Sequence, residues 1–266
     1  MLSSMYSGVS GLKANTQRMA VIGDNIANVN TTAYKSSEIS FESMINQSVG
    51  GYTGMEIGNG VILGDLNYDW NQGTVQRTSN PFDMAITGSG FFMVKDAGGN
   101  SFYTRDGEFK FDATGTLVTS SGMAVQGSAY PPAAPPVPAP IIIDPTKYQS
   151  VTVDDKGVYW ATDITAAPPV KTALFQALVF DTTDKTVMAK MNNNLYTKTT
   201  AGAMEITGIP NSNGLGAVDP GSIEMSNVDI AKEFVNMITA QRAFSACSKV
   251  ITTSDEILQE LVNIKR

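Results

Sequence analysis

"GDNIANVNTTAYK", Gly23 to Lys35, is where one kind of chain becomes another. Before it, apolar residues recur at three-four spacing: Leu2, Met5, Val9, Leu12, then Met19, Ile22, Ile26 and Val29, with Thr16 in the missing slot. That spacing keeps one face of an α-helix apolar for about eight turns. The stretch itself is crowded with Asn and Thr, whose side chains compete for backbone hydrogen bonds and favour a helix exit. Asn25, Asn28 and Asn30 then either close a plain helix exit by bonding the loose helix carbonyls or form a polar cluster that performs chemistry.

The far end carries a second helical pattern. After "SNVD", the residues Ile230, Phe234, Met237, Ile238, Phe244, Cys247, Ile251, Ile257, Leu258, Leu261 and Ile264 draw a broader stripe, with Asn227 as the expected N-cap. At ~1.5 Å per residue the two helices would run about 40 and 55 Å. Neither can bury its stripe alone, so they are expected to pack against each other and against something else. The predicted class is α+β: long N- and C-terminal helices paired as a coiled-coil-like stalk, enclosing an antiparallel β-rich middle.

In that middle, "SFYTRDGEFKFDATGTLVTSSGMAV" puts Asp106-Gly107 between two alternating runs, predicting a hairpin, with a further strand after Gly115. Lys156-Gly157 predicts a second turn, inside "QSVTVDDKGVYWAT". "AYPPAAPPVPAP", Ala129 to Pro140, holds six of the twelve prolines and reads as an extended connection. The expected organisation is a helical domain of residues 1–32 and 226–266, a β-rich domain of 33–128 and 190–225, and a small outer β insertion of 129–189.

Composition narrows the function. The 18 Lys plus Arg face 25 Asp plus Glu, a balance that lacks the cationic stripe a nucleic acid needs. There is no histidine, which removes the commonest general base and metal ligand. Cys247 stands alone inside a helical pattern and is expected in the core, with no disulfide partner. No stretch reaches the ~20 apolar residues of a membrane span, and the N-terminal residues lack the pattern of a cleavable signal. Asp106, Glu108 and Asp112 could be read as glycosidase carboxylates or a calcium loop, but their spacing is that of a polar turn. "GSGFFMV", Gly88 to Val94, leads into a strand and so offers a phosphate no helix terminus. Neither cofactor nor metal is expected.

The opening stretch resembles the "A-N-N-I-A-N-V-N-T-x-G-F-K" signature of bacterial flagellar axial proteins, the rod and hook subunits. "SNVDIAKEFVNMITAQRAFSACSKVITTSDEILQELVNIKR" is similar to that family's terminal helix, and "PFDMAITGSGFFMV", "YTRDGEFKFDATGTLV" and "NNLYT" follow in the family's order. Ala33-Tyr34 stands where the family usually has Gly-Phe, and Asp24 where it has Asn. A left-handed residue after the helix is then expected at Asn28 or Asn30 instead.

The resemblance implies paired terminal helices lining a central channel, β-domains outside them, and export without a cleaved signal through the flagellar type III apparatus. It implies partners: the chain itself in a helical homopolymer, and adjacent rod, hook-cap and hook-filament junction proteins. Neither catalysis nor membrane insertion is implied. The subunit-interface residues would be Leu2, Met5, Val9, Leu12, Met19, Ile22 and Ile26 on the first helix. On the second they would be Phe234, Ile238, Phe244, Ile251, Leu258 and Leu261. Phe41 and Ile45 in "FESMI" resemble the Phe-x-x-x-apolar element that docks on the export gate; a core anchor is the other reading of Phe41. Length, "VTVDDKGV" and "NNLYT" are similar to distal-rod subunits. The short interval "NQSVGGYTGMEI" and the ending "TTSDEILQELVNIKR" look more like a hook protein. The reading is a short-form hook subunit, with the distal rod as its alternative and a secreted carbohydrate-binding or hydrolytic β protein as a remote one.

Overall fold

The computed structural model describes residues 2–44, 46–48, 56–132, 136–164, 169–199 and 204–264. Its contacts gather the chain into two compact units. One comprises Met1–Asn30, Lys35–Asn71 and Asn227–Arg266; the other comprises Thr31–Tyr34 and Gln72–Ser226.

The first unit holds both helices, α1 (Leu2–Ala27) and α2 (Ile230–Ile264). No helix of the described residues is long and apolar enough to cross a membrane. Gly8 faces Ile251 and Gly11 faces Cys247, while Arg18 and Ile22 meet Lys232 and Glu233 nearer the other end, so the helices run antiparallel. Their seam is built on small residues. Gly8, Gly11 and Ala14 are buried, and a Cβ added to Gly8 or Gly11 would stand 3.0 Å from Ile251 Cγ1 or Cys247 Sγ. Cys247, expected in the core, is only half-buried because it packs on this seam beside a two-helix layer.

Beside the helices lies an antiparallel ribbon of Ser37–Ser43 with Val61–Tyr68, whose register shifts between Ile39 and Phe41. Beyond it Asn46–Ser48 pairs with Glu56–Gly58.

The second unit is antiparallel β. Its main sheet runs in the order Tyr148–Val153, Val158–Asp163, Val170–Ala177, Ala124–Ala129, Phe92–Lys95, Ser101–Thr104, Leu195–Lys198, Met188–Lys190. The strand Ala124–Ala129 is its pivot. Its first residues pair with Phe92–Lys95, and its last pair with Val170–Ala177. Tyr148–Val153 and Val158–Asp163 form the hairpin expected at Lys156-Gly157, where Gly157 adopts φ 67° and donates to Asp154 O at 2.8 Å. The proline-rich stretch leaves this pivot strand after Ala129 and returns at Ala139–Pro140 to pair with Gln126 and Gly127. Residues before and after it share one core, in which Met84, Phe92, Phe109 and Leu117 pack with Ile141, Tyr159 and Val179.

The expected Asp106-Gly107 hairpin is not formed. Ser101–Thr104 pairs with Phe92–Lys95 and Leu195–Lys198, whereas Phe109–Phe111 pairs with Leu117–Thr119 around Gly115 at φ 78°. Gly107 serves a different purpose: its carbonyl accepts Met84 N–H at 3.0 Å, and the Met84 backbone leaves no room for a Cβ.

At the centre of this unit Arg105 and Glu224 form an ion pair at 3.2 Å, with side chains 2% and 0% exposed. Arg105 also donates to Gly90 O at 2.9 Å and Gly88 O at 2.7 Å. Its guanidinium lies 5.4 Å from the Phe91 ring centroid. Glu224 Oε1 accepts Gly73 N–H at 2.8 Å. Each guanidinium nitrogen and each carboxylate oxygen of the pair thus has a partner, which is the condition under which a buried pair is tolerated. Replacing Glu224 with Ala leaves a buried guanidinium without its counter-charge, and the loss is expected to be about 3–5 kcal/mol. Urea unfolding of the variant reads this; a change under about 1 kcal/mol would refute the central role of the pair.

Asp106 makes a second, pH-dependent contribution. Burial pushes its carboxyl up from 3.8 to about 6, opposed by the Glu108 N–H and Thr32 and helped by the negative charges of Glu108 and Asp83. The folded chain therefore holds a proton there that the unfolded chain has released. That contribution is full below pH ~4 and is lost as the pH rises through about 6. Asp106→Asn should remove this slope and raise stability at pH 7 by about 1 kcal/mol. Melting curves of both proteins at pH 4 and pH 7 measure it, and a parallel pH dependence would contradict the assignment.

Candidate assembly site

The polar stretch after α1 is a junction. Asn28 Nδ2 donates to Asp24 O at 2.9 Å and to Asp24 Oδ1 at 3.0 Å, so it closes the helix as its composition suggests. Asn25 is 2% exposed and acts elsewhere. Its Oδ1 accepts Ser37 N–H at 3.0 Å and its Nδ2 donates to Ser37 O at 2.9 Å, as a neighbouring strand would. Asn30 is exposed.

Asn227 is not the N-cap of α2. Asp229 holds that position: its Oδ1 accepts Ala231 N–H at 2.8 Å, and its carbonyl accepts Glu233 N–H at 3.0 Å. Asn227 instead ties separate strands together, accepting Ser36 N–H at 2.8 Å and donating to Asp69 O at 2.8 Å and Asn71 O at 3.1 Å. Lys35 Nζ donates to the same Asn71 carbonyl at 2.7 Å. Asp229, which the sequence reading did not name, caps the helix because its side chain reaches the amides of the first turn.

The left-handed residue expected at Asn28 or Asn30 is Ala33 itself, at φ 55°. Its N–H donates to Glu224 O at 2.8 Å and its side chain is 1% exposed, so surrounding contacts impose a conformation that glycine would take freely. Asn194 Nδ2 binds the adjacent Thr32 carbonyl at 2.7 Å, and Lys190 Nζ lies 4.0 Å from the Tyr34 ring centroid.

The helix stripes divide by exposure. Ile22 is buried; Met5, Leu12, Met19, Ile26, Phe244, Ile251 and Leu258 are half-buried; Val9, Phe234, Ile238 and Leu261 are exposed. Phe234 is 51% exposed; Ile264 of the stripe is more open still, as are Tyr6, Val235 and Val262, which the stripe reading missed. The Leu2 side chain lies outside the described residues, as does Ile45. Phe41 is exposed on the ribbon, opposite Leu63, with Ile62 and Leu66 also uncovered. Three-four spacing marks one apolar face, whereas α2 is apolar on more than one. Its excess was legible in the breadth of the stripe, but not which residues the fold would leave open.

This surface presents apolar side chains, not reactive groups. Asp106 and Glu108 lie in the irregular segment between Ser101–Thr104 and Phe109–Phe111, and Asp112 just before the turn at Gly115; Asp106 Oδ1 accepts Glu108 N–H and Asp112 Oδ1 accepts Ala113 N–H. Among the described residues, no group of His, Cys, Asp and Glu could hold a metal ion.

Left-handed Ala costs ~1–2 kcal/mol relative to its preferred conformations, part of which glycine returns as unfolded-state entropy. Ala33→Gly is expected to stabilise the chain by up to about 1 kcal/mol, read as a higher melting temperature; a lower one would mean the buried methyl outweighs the strain.

Comparison with known proteins falls on these same regions. A family described as "Flagella basal body rod protein" matches residues 5–35. "Flagellar hook protein FlgE/F/G D1 domain" matches 85–161, and "Flagellar basal body rod FlgEFG protein C-terminal" matches 219–264. The flagellar basal-body rod protein FlgG of Bacillus subtilis is 38% identical over 277 residues, covering 100% of both chains. That of Borreliella burgdorferi is 33% identical over 279 residues with the same coverage. The flagellar hook protein FlgE of Treponema pallidum is 42% identical over 138 residues, 48% of this chain and 30% of its own length. The rod proteins match end to end where the hook protein matches in part. The chain belongs to the family of bacterial flagellar rod and hook proteins.

Proposed function

We propose that the chain is a structural subunit of the flagellar rod, polymerising helically through its terminal helices around the export channel. The hook reading drawn from the chain's ending gives way here. Rod proteins from Bacillus subtilis and Borreliella burgdorferi match along the entire chain, while the hook protein of Treponema pallidum covers less than half of it.

The observation that carries the assembly role is the apolar surface left on α2: Phe234, Val235, Ile238, Ile257, Leu261, Val262 and Ile264 are all exposed. Covering each is worth roughly 1.5–3 kcal/mol. Uncovered apolar surface of this kind, gathered near both ends of α2, marks a contact with another protein. In a tube, neighbouring copies supply that cover, with Tyr6 and Val9 of α1 contributing the same way. A rod also needs partners at its ends, and the adjacent axial proteins of the flagellum fill that place. Phe41, exposed on its ribbon, serves as the candidate docking element for the type III export apparatus before the chain assembles.

Immunogold labelling of the tagged chain in purified basal bodies tests the reading. Label on the straight segment within the envelope is expected. Label on the curved segment outside the outer ring would restore the hook, and its absence from basal bodies would overturn both.

A further inference from the structure

Between α1, α2 and the ribbon lies a cleft of about 200 Å³, lined among others by Arg18, Glu38, Asp69, Lys232, Glu233 and Asn236. At ~30 Å³ per water it has room for a long side chain. Glu233 is 8% exposed, and its Oε2 is buried with no hydrogen-bond partner among the described residues. Arg18 and Lys232 line the cleft without donating to that oxygen. A carboxylate oxygen removed from water calls for a donor, and leaving it without one is among the costlier defects a fold can carry. With Glu38, Asp69 and Glu233 against Arg18 and Lys232, the lining carries one net negative charge.

We propose that this cleft receives the guanidinium of Arg242 from a neighbouring copy of the chain. The inference rests on the reading of the chain as a polymer subunit and names one contact within it. Arg242 is exposed and stands two residues past buried Ala240. At ~100° per residue that places it on the side of α2 turned away from α1. Lys249 is exposed seven residues, two turns, further along, so the outer side of α2 is basic here while the cleft is acidic. A planar guanidinium can meet both oxygens of a carboxylate at once, which an ammonium cannot. Phe234 and Ile238, exposed on the helix that carries Glu233, would be covered by the same incoming copy. The cleft and Arg242 are different patches of one molecule, so the contact is heterologous, the kind that repeats into an open helix when its rotation does not close.

The test replaces the chromosomal gene with variants and counts subunits per purified basal body, alongside melting of each soluble variant. Arg242 is exposed, so Arg242→Glu keeps the fold and is expected to lower the count at least tenfold. Glu233→Arg alone is expected to do the same, and the double reversal Glu233→Arg with Arg242→Glu to recover assembly. Wild-type counts for Arg242→Glu, or a double reversal no better than either single, would overturn the contact. If Arg18→Glu is what abolishes assembly while Arg242→Glu does not, Glu233 pairs within its own chain and the proposal is wrong. Absence of the unaltered chain from basal bodies would instead remove the polymer reading, and this contact with it.

Discussion

Glu224 is the residue on which the β-rich unit converges. Its carboxylate holds Arg105 and the Gly73 amide, and its main-chain carbonyl holds the amide of Ala33. Those partners are far apart in sequence, and two of them, Ala33 and Gly73, lie beside the places where the chain passes between its two units. Arg105 in turn fixes the Gly88 and Gly90 carbonyls. One buried pair therefore sets the loops that begin and end this unit, and each partner satisfies the other's desolvated charge. Three residues later Asn227 gathers Ser36, Asp69 and Asn71 in the helical unit by the same logic of a side chain replacing missing backbone partners. A chain that leaves its helices early and returns late is held by such clasps beside the pairing of Val75–Arg77 with Ser222–Glu224.

Much of this architecture was legible in the sequence. The helices at both ends declare themselves through three-four spacing, and the Lys156-Gly157 hairpin through a turn pair flanked by alternating residues. The clasps were not legible. Glu224 and Asn227 sit in stretches with no periodicity, and their roles depend on partners between 119 and 191 residues away. Asp106-Gly107 misled for the reverse reason. Its composition is that of a turn, but the glycine is there because the Met84 backbone passes too close for any side chain.

The candidate assembly surface was legible in kind but not in position. Apolar stripes longer and broader than a two-helix seam can absorb announce that something else must cover them. Which residues remain open depends on the rotation of each helix, and that rotation follows the small residues. Gly8, Gly11 and Ala14 take the seam because they let α2 come close, which turns Tyr6 and Val9 outward although the sequence puts Val9 on the main stripe.

The same glycines bear on how α1 holds its shape. Each glycine inside a helix weakens it by roughly 1 kcal/mol relative to alanine, and α1 contains Gly8, Gly11 and Gly23 along with four Ser and one Thr. Its helical state must come from packing rather than from propensity. A Cβ at Gly8 or Gly11 would recover the propensity and push Ile251 or Cys247 away, trading a better isolated helix for a worse pair. The residues that make α1 a poor helix alone are thus the ones that let it pair closely with α2. An element of that design is ordered only once its partner is in place, and for α1 that partner is α2.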